Sequence, residues 1–274
     1  MREDFRRNPA KALAKRMIWR LRWVANSSPI DLQHAAGFSI AAPKGAAGAL
    51  IYYLGRSEPE TCEFMSRFLK SGMVFFDIGA HIGEYTVLAG SRVGEAGQVH
   101  AFEAQATTVA LLRGNCEKNR LRNAVINSCA VSNVEGSVEF AICSEPSMSS
   151  IVVDSTHSGG HAETVRVASV TLDAYCERHR VWPDLVKIDV EGAEWLVLQG
   201  AVQTLSRTPP ACPALLLECL EDTYARFDVS PGMVITFLEE LGYKLFEICR
   251  NGKLAPHQAG IRNSKGYNLV ALKS

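Results

Sequence analysis

One segment constrains this chain more than any other: an apolar run with an aspartate as its last but one residue, which passes directly into a glycine-spaced turn. The run is Met73–Ile78, the turn contains Gly79 and Gly83, and a helical pattern continues to Val93. Glycines allow the backbone to turn sharply and to approach a ligand closely. The segment therefore predicts a strand, a ligand-binding turn and a helix, the first unit of an α/β sheet.

Strand and helix patterns alternate from this segment to the end of the sequence. Such alternation predicts a mostly parallel sheet with helices on both faces. Two strands near Gly136–Ile142 and Thr164–Val167 are expected to form an inserted or edge hairpin. The chain of 274 residues is long enough for one such domain, which we place at residues 71–274.

The first part of the chain has a different character. Basic and apolar residues interleave between Met1 and Pro29, where the only acids are Glu3 and Asp4. This pattern predicts a basic amphipathic helix. The helix could bind a membrane surface or a partner. The sequence favours the alternative that it packs on the domain or on another subunit, which would support a homo-oligomer.

Two further elements are expected before the sheet begins. Phe38–Leu54 has the pattern of a short β-hairpin that turns near Pro43–Gly45. Glu58–Lys70 has apolar residues on one face, which predicts a helix. With the basic helix, these elements form a predicted N-terminal extension over residues 1–70.

Composition excludes several classes of protein. Hydrophobic residues make up 47% and charged residues 21% of the chain, as in ordinary globular proteins. The net charge is zero, so the composition does not indicate binding to nucleic acid. No apolar run reaches the about 18 residues of a membrane-spanning helix. Eight cysteines without a CxxC pair, in a sequence without a recognisable signal peptide, predict reduced thiols and a cytoplasmic location.

Two acids near the glycine turn limit the choice of ligand. Asp77, at the end of the first strand, would repel a pyrophosphate but suits a cationic amino group. Glu103 follows the second strand, twenty residues after Gly83, where dinucleotide folds place an acid that accepts from ribose hydroxyls. The pair predicts S-adenosylmethionine, which is cationic and has no phosphate. In the alternative, the glycines only permit close helix–strand packing and Glu103 is a solvated charge.

Five segments then occur in a distinctive order. They read FFDIGAHIGEYTVLAG, VHAFEAQ, LVKIDVEGAEWLVLQGA, LLLEC and YNLVALK, and the whole match runs from about Phe64 to Lys273. This set resembles the FkbM family of class I S-adenosylmethionine-dependent methyltransferases, and the DVEGAE element is its most distinctive part. The resemblance implies a Rossmann-like, doubly wound sheet of seven strands with the last antiparallel. It also implies methyl transfer, often to a hydroxyl of a sugar or a natural product.

The resemblance assigns cofactor contacts by position. The residues concerned are Asp77, Gly79, His81, Gly83, Glu84, Tyr85, Thr86, Glu103, Ala130 and Asp189. The helix start at Glu84 would cover the methionine part with free backbone N–H groups, and the stretch at Ala130 would lie near the adenine. His81 stands where the general methyltransferase pattern has glycine, so its side chain must point away from the cofactor or touch it.

More acids are expected at the ends of the fourth and fifth strands. Asp189 and Glu191 lie at the end of the fourth strand and Glu218 at the end of the fifth, so the three carboxylates could converge in the ligand crevice. They could supply one base of raised pKa, or Asp189 and Glu218 could bind Mg²⁺. Lys187 is expected to be their ion-pair partner, and His81 is either a second candidate base or a packed turn residue.

Fewer sequence features indicate the methyl acceptor. Ser147–Ser150 either closes over the site or is a plain loop, and Glu194 is expected to complement the dipole of its helix. The predicted activity is O-methylation of a small-molecule acceptor, a sugar or natural product and not a nucleic acid. The alternatives are an NAD-dependent oxidoreductase, which Asp77 and the incomplete GxGxxG pattern oppose, and a nucleoside-binding protein without activity.

Overall fold

The computed structural model describes residues 9–143, 149–152, 163–219, 221–258 and 267–273. The strands in this part of the chain are β1 (Ile30–Gln33), β2 (Ser39–Ala42), β3 (Val74–Ile78), β4 (Gln98–Phe102), β5 (Ala124–Asn127), β6 (Ala130–Val131), β7 (Gly136–Ile142), β8 (Ser150–Ile151), β9 (Glu163–Val170), β10 (Leu185–Ile188), β11 (Ala214–Cys219), β12 (Lys244–Ile248), β13 (Leu254–Pro256) and β14 (Tyr267–Leu272). The α-helices are α1 (Pro9–Ala25), α2 (Ala46–Leu54), α3 (Pro59–Phe68), α4 (Glu84–Val93), α5 (Ala106–Lys118), α6 (Leu172–His179), α7 (Glu194–Gln199), α8 (Val202–Ser206), α9 (Glu221–Tyr224) and α10 (Pro231–Glu240).

One eight-stranded sheet forms the centre of the fold. Strands β5, β4, β3, β10 and β11 lie side by side in this order and pair in parallel. Strand β14 then pairs antiparallel with β11 and with β12. The predicted Rossmann-like sheet of seven strands with the last antiparallel is confirmed, and β13 adds an eighth strand at the edge beside β12.

Helices cover both faces of this sheet because its central strands are apolar on both sides. All four residues of β10 are buried. Side chains alternate across a strand, so Phe75 and Leu185 pack in one apolar cluster while Phe76 and Val186 pack in the other. The carboxyl ends of β3 and β10 are thereby held rigidly side by side.

A second sheet, of four strands, has the order β6-β9-β7-β8. Its antiparallel pair β7 and β9 confirms the predicted inserted hairpin. The short strand β6 pairs in parallel with β9 and brings Ala130 to the boundary between the two sheets.

The N-terminal elements differ from the predicted order in one respect. The hairpin is formed by β1 and β2, and Ala46–Leu54 is a helix, so the prediction of a hairpin over Phe38–Leu54 was wrong. The Ile and Tyr residues of this segment suggested a strand, but its alanines and leucines favour a helix. Gly55, at φ 81°, ends that helix with a left-handed C-cap.

Helix α3 agrees with the helix expected over Glu58–Lys70 and packs on the main sheet. Phe64 and Met65 share one apolar cluster with Phe75 and Leu88. The boundary at residue 70 stays a prediction. No helix in the described part of the chain combines the length and the hydropathy that crossing a bilayer would require.

Candidate active site

A cavity of about 340 Å³ lies where β3, β4, β10 and β11 end. Strand β3 has neighbours on both sides that follow it in the chain, so this is the switch point at which open α/β sheets bind ligands. The polar residues that line the cavity are Ser57, Glu58, His81, Glu84, Tyr85, Glu103, Ser149, Lys187, Asp189, Glu191 and Glu218.

The turn after β3, which we call the first turn, is held by a carboxylate. Glu103 accepts hydrogen bonds from the backbone N–H groups of His81 and Gln105, each at 2.9 Å. His81 has a left-handed backbone at φ 48°. A Cβ on Gly79 would lie 1.8 Å from the carbonyl oxygen of Asp189, so only glycine fits there. The first turn is therefore packed directly against the end of β10.

Asp77 supports the first turn from within the protein. Its side chain is fully buried, and it is not among the lining residues; neither are Gly83 and Thr86. One carboxylate oxygen accepts from the Thr86 hydroxyl at 2.6 Å. The other lies 3.8 Å from Lys187 Nζ. Burial raises the pKa of Asp77 more strongly than the Lys187 ammonium lowers it.

Lys187 links the ends of β3 and β10. Its ammonium donates to Asp189 Oδ2 at 2.9 Å and lies 4.9 Å from the centre of the Tyr85 ring. Burial alone would lower the pKa of Lys187, but the Asp189 and Asp77 carboxylates raise it above its ordinary value. The structure thus confirms the predicted ion pair, and a charged ammonium cannot act as a base.

The turn after β10, which we call the second turn, is also held by a carboxylate. Glu194 is the first residue of α7 and accepts from the backbone N–H groups of Val190, at 2.9 Å, and Gly192, at 3.3 Å. Glu191 is left-handed at φ 56°. A Cβ on Gly192 would lie 2.6 Å from the carbonyl oxygen of Thr223. These contacts fix the backbone from which the Glu191 side chain projects.

The second turn brings three predicted acids together. One carboxylate oxygen from each of Asp189, Glu191 and Glu218 lies within 4.8 Å of the others. Burial, followed by repulsion from Asp189, raises the pKa of Glu191 to about 7 and that of Glu218 to about 9. Glu191 and Glu218 therefore have pKa values at which a carboxyl group can exchange a proton with a ligand near neutral pH.

His81 lines the same cavity. Its Nε2 atom is shielded from solvent and has no hydrogen-bond partner among the described residues. Burial lowers the pKa of His81, although the Asp189 carboxylate acts in the opposite direction. A lowered pKa favours the neutral form of the ring, which is compatible with both of its predicted roles.

Sequence reasoning missed the contribution of the segment between α2 and α3. Glu58 accepts from the Tyr85 hydroxyl at 2.8 Å and from Asn268 Nδ2 at 2.9 Å. The Ser57 hydroxyl donates to Glu84 at 2.6 Å. The one local signal was a polar side chain immediately before the helix start at Pro59, and it does not indicate contact with a cavity.

The second sheet supplies an apolar part of the wall. Phe140 and Ile151 line the cavity together with Ala130, and the three residues belong to one apolar cluster. Ser149 also lines the cavity, and the Ser150 hydroxyl donates to the carbonyl oxygen of Val190 at 2.9 Å. The stretch predicted at Ser147–Ser150 thus reaches the site at its end, while residues 147 and 148 lie outside the described residues.

Two curated relatives match a short part of the chain. Both are named as a probable cobalt-precorrin-6B C(15)-methyltransferase (decarboxylating). The protein of Sulfurisphaera tokodaii is 47% identical over 58 residues, which are 21% of this chain and 30% of the relative. That of Sulfolobus acidocaldarius is 46% identical over 55 residues, 20% of this chain and 29% of the relative. The chain thus spans less than a third of the curated relatives it matches.

Solved structures resemble the chain more distantly. A precorrin-6y C5,15-methyltransferase from Geobacter metallireducens has 17% identity and a TM-score of 0.45, over 80% of this chain and 89% of that one. An S-adenosylmethionine-dependent O-methyltransferase from Thermotoga maritima has 14% identity and a TM-score of 0.43, over 90% of this chain and 78% of that one. Likeness at this level does not identify an acceptor.

The family model is the decisive comparison. The model described as the methyltransferase FkbM domain matches residues 77–245, which is more than half of the chain. The match includes both turns and the three converging acids, and it favours methyl transfer over the NAD-dependent alternative. The chain belongs to the FkbM methyltransferase family.

Proposed function

We propose that the enzyme transfers a methyl group to a hydroxyl of an uncharged or cationic small molecule, such as a sugar or a natural product. One observation carries this proposal. Asp189, Glu191 and Glu218 converge at the cavity, and two of them have pKa values raised toward the working range of a base. A hydroxyl acceptor must lose its proton, and a base of such pKa suits that step near neutral pH.

The charge of the cavity wall fits S-adenosylmethionine. Glutamates and an aspartate dominate its polar lining. Among the described residues that line it, Lys187 is the only lysine or arginine, and it is paired with Asp189. A wall of this charge suits a cationic sulfonium and ammonium and opposes a pyrophosphate. When bound, the cofactor supplies an electrophilic methyl group.

Separate parts of the wall suit separate parts of that cofactor. We assign the ribose hydroxyls to Glu103, which lines the cavity while it holds the first turn. The backbone N–H groups at the start of α4 suit the methionine carboxylate. The apolar patch of Ala130, Phe140 and Ile151 suits the adenine.

The three converging acids would perform the acid–base work. We assign proton removal to the ionised carboxylate of Glu218 or Glu191, so that the hydroxyl proton passes to a carboxylate oxygen. Lys187 fixes Asp189, and Glu194 fixes the backbone of Glu191. A positioned base contributes about 10²–10⁴-fold to such reactions, and His81 is the alternative base.

The same wall limits the acceptor. A phosphorylated sugar or a nucleic-acid backbone would be repelled by the converging carboxylates, because the lining residues in the described part of the chain include no unpaired lysine or arginine. Neutral polyols and amino sugars would not be repelled, and carboxylates bind hydroxyls and ammonium groups well. We therefore favour acceptors without phosphate.

Product analysis tests this function. The enzyme is incubated with methyl-¹³C-labelled S-adenosylmethionine and a panel of neutral sugars, amino sugars, their phosphates and natural-product alcohols. We expect a labelled methyl ether, identified by its carbon chemical shift, from an acceptor without phosphate. A product methylated at carbon, as the names of the curated relatives describe, or methylation of RNA alone would contradict the proposal.

The alternative role of the converging carboxylates is to bind Mg²⁺. Asp189 and Glu218, with Glu191, offer carboxylate oxygens, the donor type that hard cations prefer. If EDTA abolishes activity and Mg²⁺ restores it, the metal role replaces the base role. Activity that is unchanged in EDTA supports the base role.

Location and assembly stay predictions. All eight cysteines are free and five are buried, which is compatible with the expected reducing cytoplasm. A homo-oligomer formed through the N-terminal segment would show as a multiple of the chain mass in light scattering.

A further inference from the structure

Helix α1 presents a row of apolar side chains to solvent. Leu13, Met17, Leu21 and Val24 are 60%, 58%, 61% and 86% exposed, and Ile18 is 60% exposed. The first four recur at intervals of three or four residues, so they form one continuous stripe along the helix. Contiguous exposed apolar surface of this kind marks an interaction site more often than isolated residues do.

The opposite side of α1 is already occupied. Trp19 stacks on Tyr52 with ring centres 4.8 Å apart. The Tyr52 hydroxyl donates to the carbonyl oxygen of Lys15 at 3.2 Å. Met17 and Leu21 each lie two residues from Trp19, which places them about 200° around the helix axis. The helix is thus held to α2 by one face and turns its apolar stripe outward.

Charge decides what covers this stripe. The segment Pro9–Ala25 contains five basic residues and no acidic residue, whereas the whole chain has a net charge of zero. The basic residues are Lys11, Lys15, Arg16, Arg20 and Arg22. A second copy of the same helix would bring like charges together. An anionic phospholipid surface attracts basic residues and accepts apolar side chains at the same time.

We propose that α1 docks the enzyme on the surface of a bilayer that contains anionic phospholipid. The apolar stripe lies among the lipid chains, and the exposed Arg16 and Arg20 contact the headgroups. This function is independent of the proposed reaction. It also has a geometric consequence, because α2 binds α1 through Tyr52 and contributes Ala46, Ala47 and Leu50 to the cavity wall. Docking would bring that wall toward the lipid surface.

Vesicle sedimentation of the full chain tests the proposal. We expect binding to vesicles of phosphatidylglycerol and phosphatidylcholine, with at least about tenfold weaker binding to phosphatidylcholine alone and a decrease as salt rises. The double variant Met17→Glu/Leu21→Glu should bind the anionic vesicles at least about tenfold more weakly, because it loses apolar insertion and adds repulsion. Arg16→Gln/Arg20→Gln should show a smaller loss and a weaker salt dependence.

A matched control uses exposed apolar residues elsewhere. Val202 and Met233 are 41% and 45% exposed, and Val202→Glu/Met233→Glu adds the same charge without touching α1. This control should bind vesicles like the unmodified chain, and thermal unfolding should show all variants folded. Equal vesicle binding by Met17→Glu/Leu21→Glu and the unmodified chain would overturn the proposal. So would a dimer that this variant dissociates in the absence of any vesicle binding, which would assign the stripe to a second copy.

Discussion

The first and second turns follow neighbouring parallel strands and are built alike. Each contains a residue held left-handed, His81 at φ 48° and Glu191 at φ 56°. In each, a glutamate accepts two backbone N–H groups, Glu103 in the first turn and Glu194 in the second. Non-glycine residues are costly in this conformation, and the carboxylates of Glu103 and Glu194 hold the two turns in place.

The two turns differ in what they show to the cavity. In the first turn the holding residue, Glu103, itself lines the cavity. In the second turn the holding residue, Glu194, is 1% exposed and does not line the cavity. The left-handed residue, Glu191, instead places its carboxylate beside those of Asp189 and Glu218. The first turn thus offers fixed hydrogen-bonding groups, and the second offers carboxylates that can change charge. We infer that the first turn binds the cofactor and the second acts on the acceptor.

The largest expected effect is a loss of turnover when one of the three converging acids is replaced. Glu218→Gln, and separately Asp189→Asn, should lower turnover by about 10²–10⁴-fold, the contribution of a positioned base. The measurement is formation of S-adenosylhomocysteine with the acceptor that the product panel identifies. Glu117→Gln is the control, because Glu117 is an exposed helix residue. Turnover within about threefold of the unmodified enzyme for both variants would show that the converging acids take no part in the chemistry.

Substitutions at two glycines test, through the free energy of unfolding, how tightly the first turn is packed. Gly79→Ala should lower the free energy of unfolding by about 2–4 kcal/mol, because its Cβ would lie 1.8 Å from a backbone oxygen. Gly72 has a similar positive φ, 88°, but no atom of the described residues lies within 4 Å of an added Cβ. Gly72→Ala should therefore cost about 1 kcal/mol from backbone strain alone. If urea unfolding shows the same loss of free energy for Gly79→Ala and Gly72→Ala, close packing at the first turn contributes nothing to stability.

The first turn should reveal its role through cofactor affinity. Glu103→Ala removes the proposed ribose acceptor and should weaken the binding of S-adenosylmethionine by roughly 1.5–3 kcal/mol. Titration calorimetry measures this loss. Glu194→Ala is the matched variant of the second turn, and its affinity should fall by less. An unchanged affinity in Glu103→Ala would refute the ribose role.

The smallest expected effect is on the pH dependence of the free energy of unfolding. Folded Glu218 holds its proton more tightly than the unfolded chain, whose glutamate pKa is near 4.5, since burial raises the folded pKa to about 9. Stability should therefore fall as pH rises between these values. At pH 8, Glu218→Gln should raise the free energy of unfolding by about 1–2 kcal/mol. A variant less stable than the unmodified enzyme at pH 8 would show that the carboxylate is well paired.

Local sequence patterns predicted both turns but not the contacts that distant parts of the chain make near them. The strand ends that carry Asp77, Glu103, Asp189 and Glu218 follow from apolar runs bounded by glycine or acid. The contact between Glu58 and Asn268 joins residues 210 positions apart, and no local pattern encodes such a distance.

The N-terminal error has a similar cause. Ala46–Leu54 mixes helix-favouring alanine and leucine with strand-favouring isoleucine and tyrosine. The burial of Ile51 and the contact of Tyr52 with Trp19 accompany the helical choice. Ile51 and Tyr52 make these contacts with residues that are distant in the sequence. The pattern of nine residues alone could therefore not distinguish a helix from a strand.

The pH dependence of single-turnover methyl transfer tests the division between the two turns most directly. If Glu191 of the second turn and the neighbouring Glu218 take the proton, the rate should rise between about pH 7 and pH 9, where these two residues lose their protons. Glu218→Gln should remove the part of the rise near pH 9, while Glu103→Ala should keep the whole profile at a weaker cofactor affinity. A Glu218→Gln profile that rises at the same pH as that of the unmodified enzyme would contradict the account.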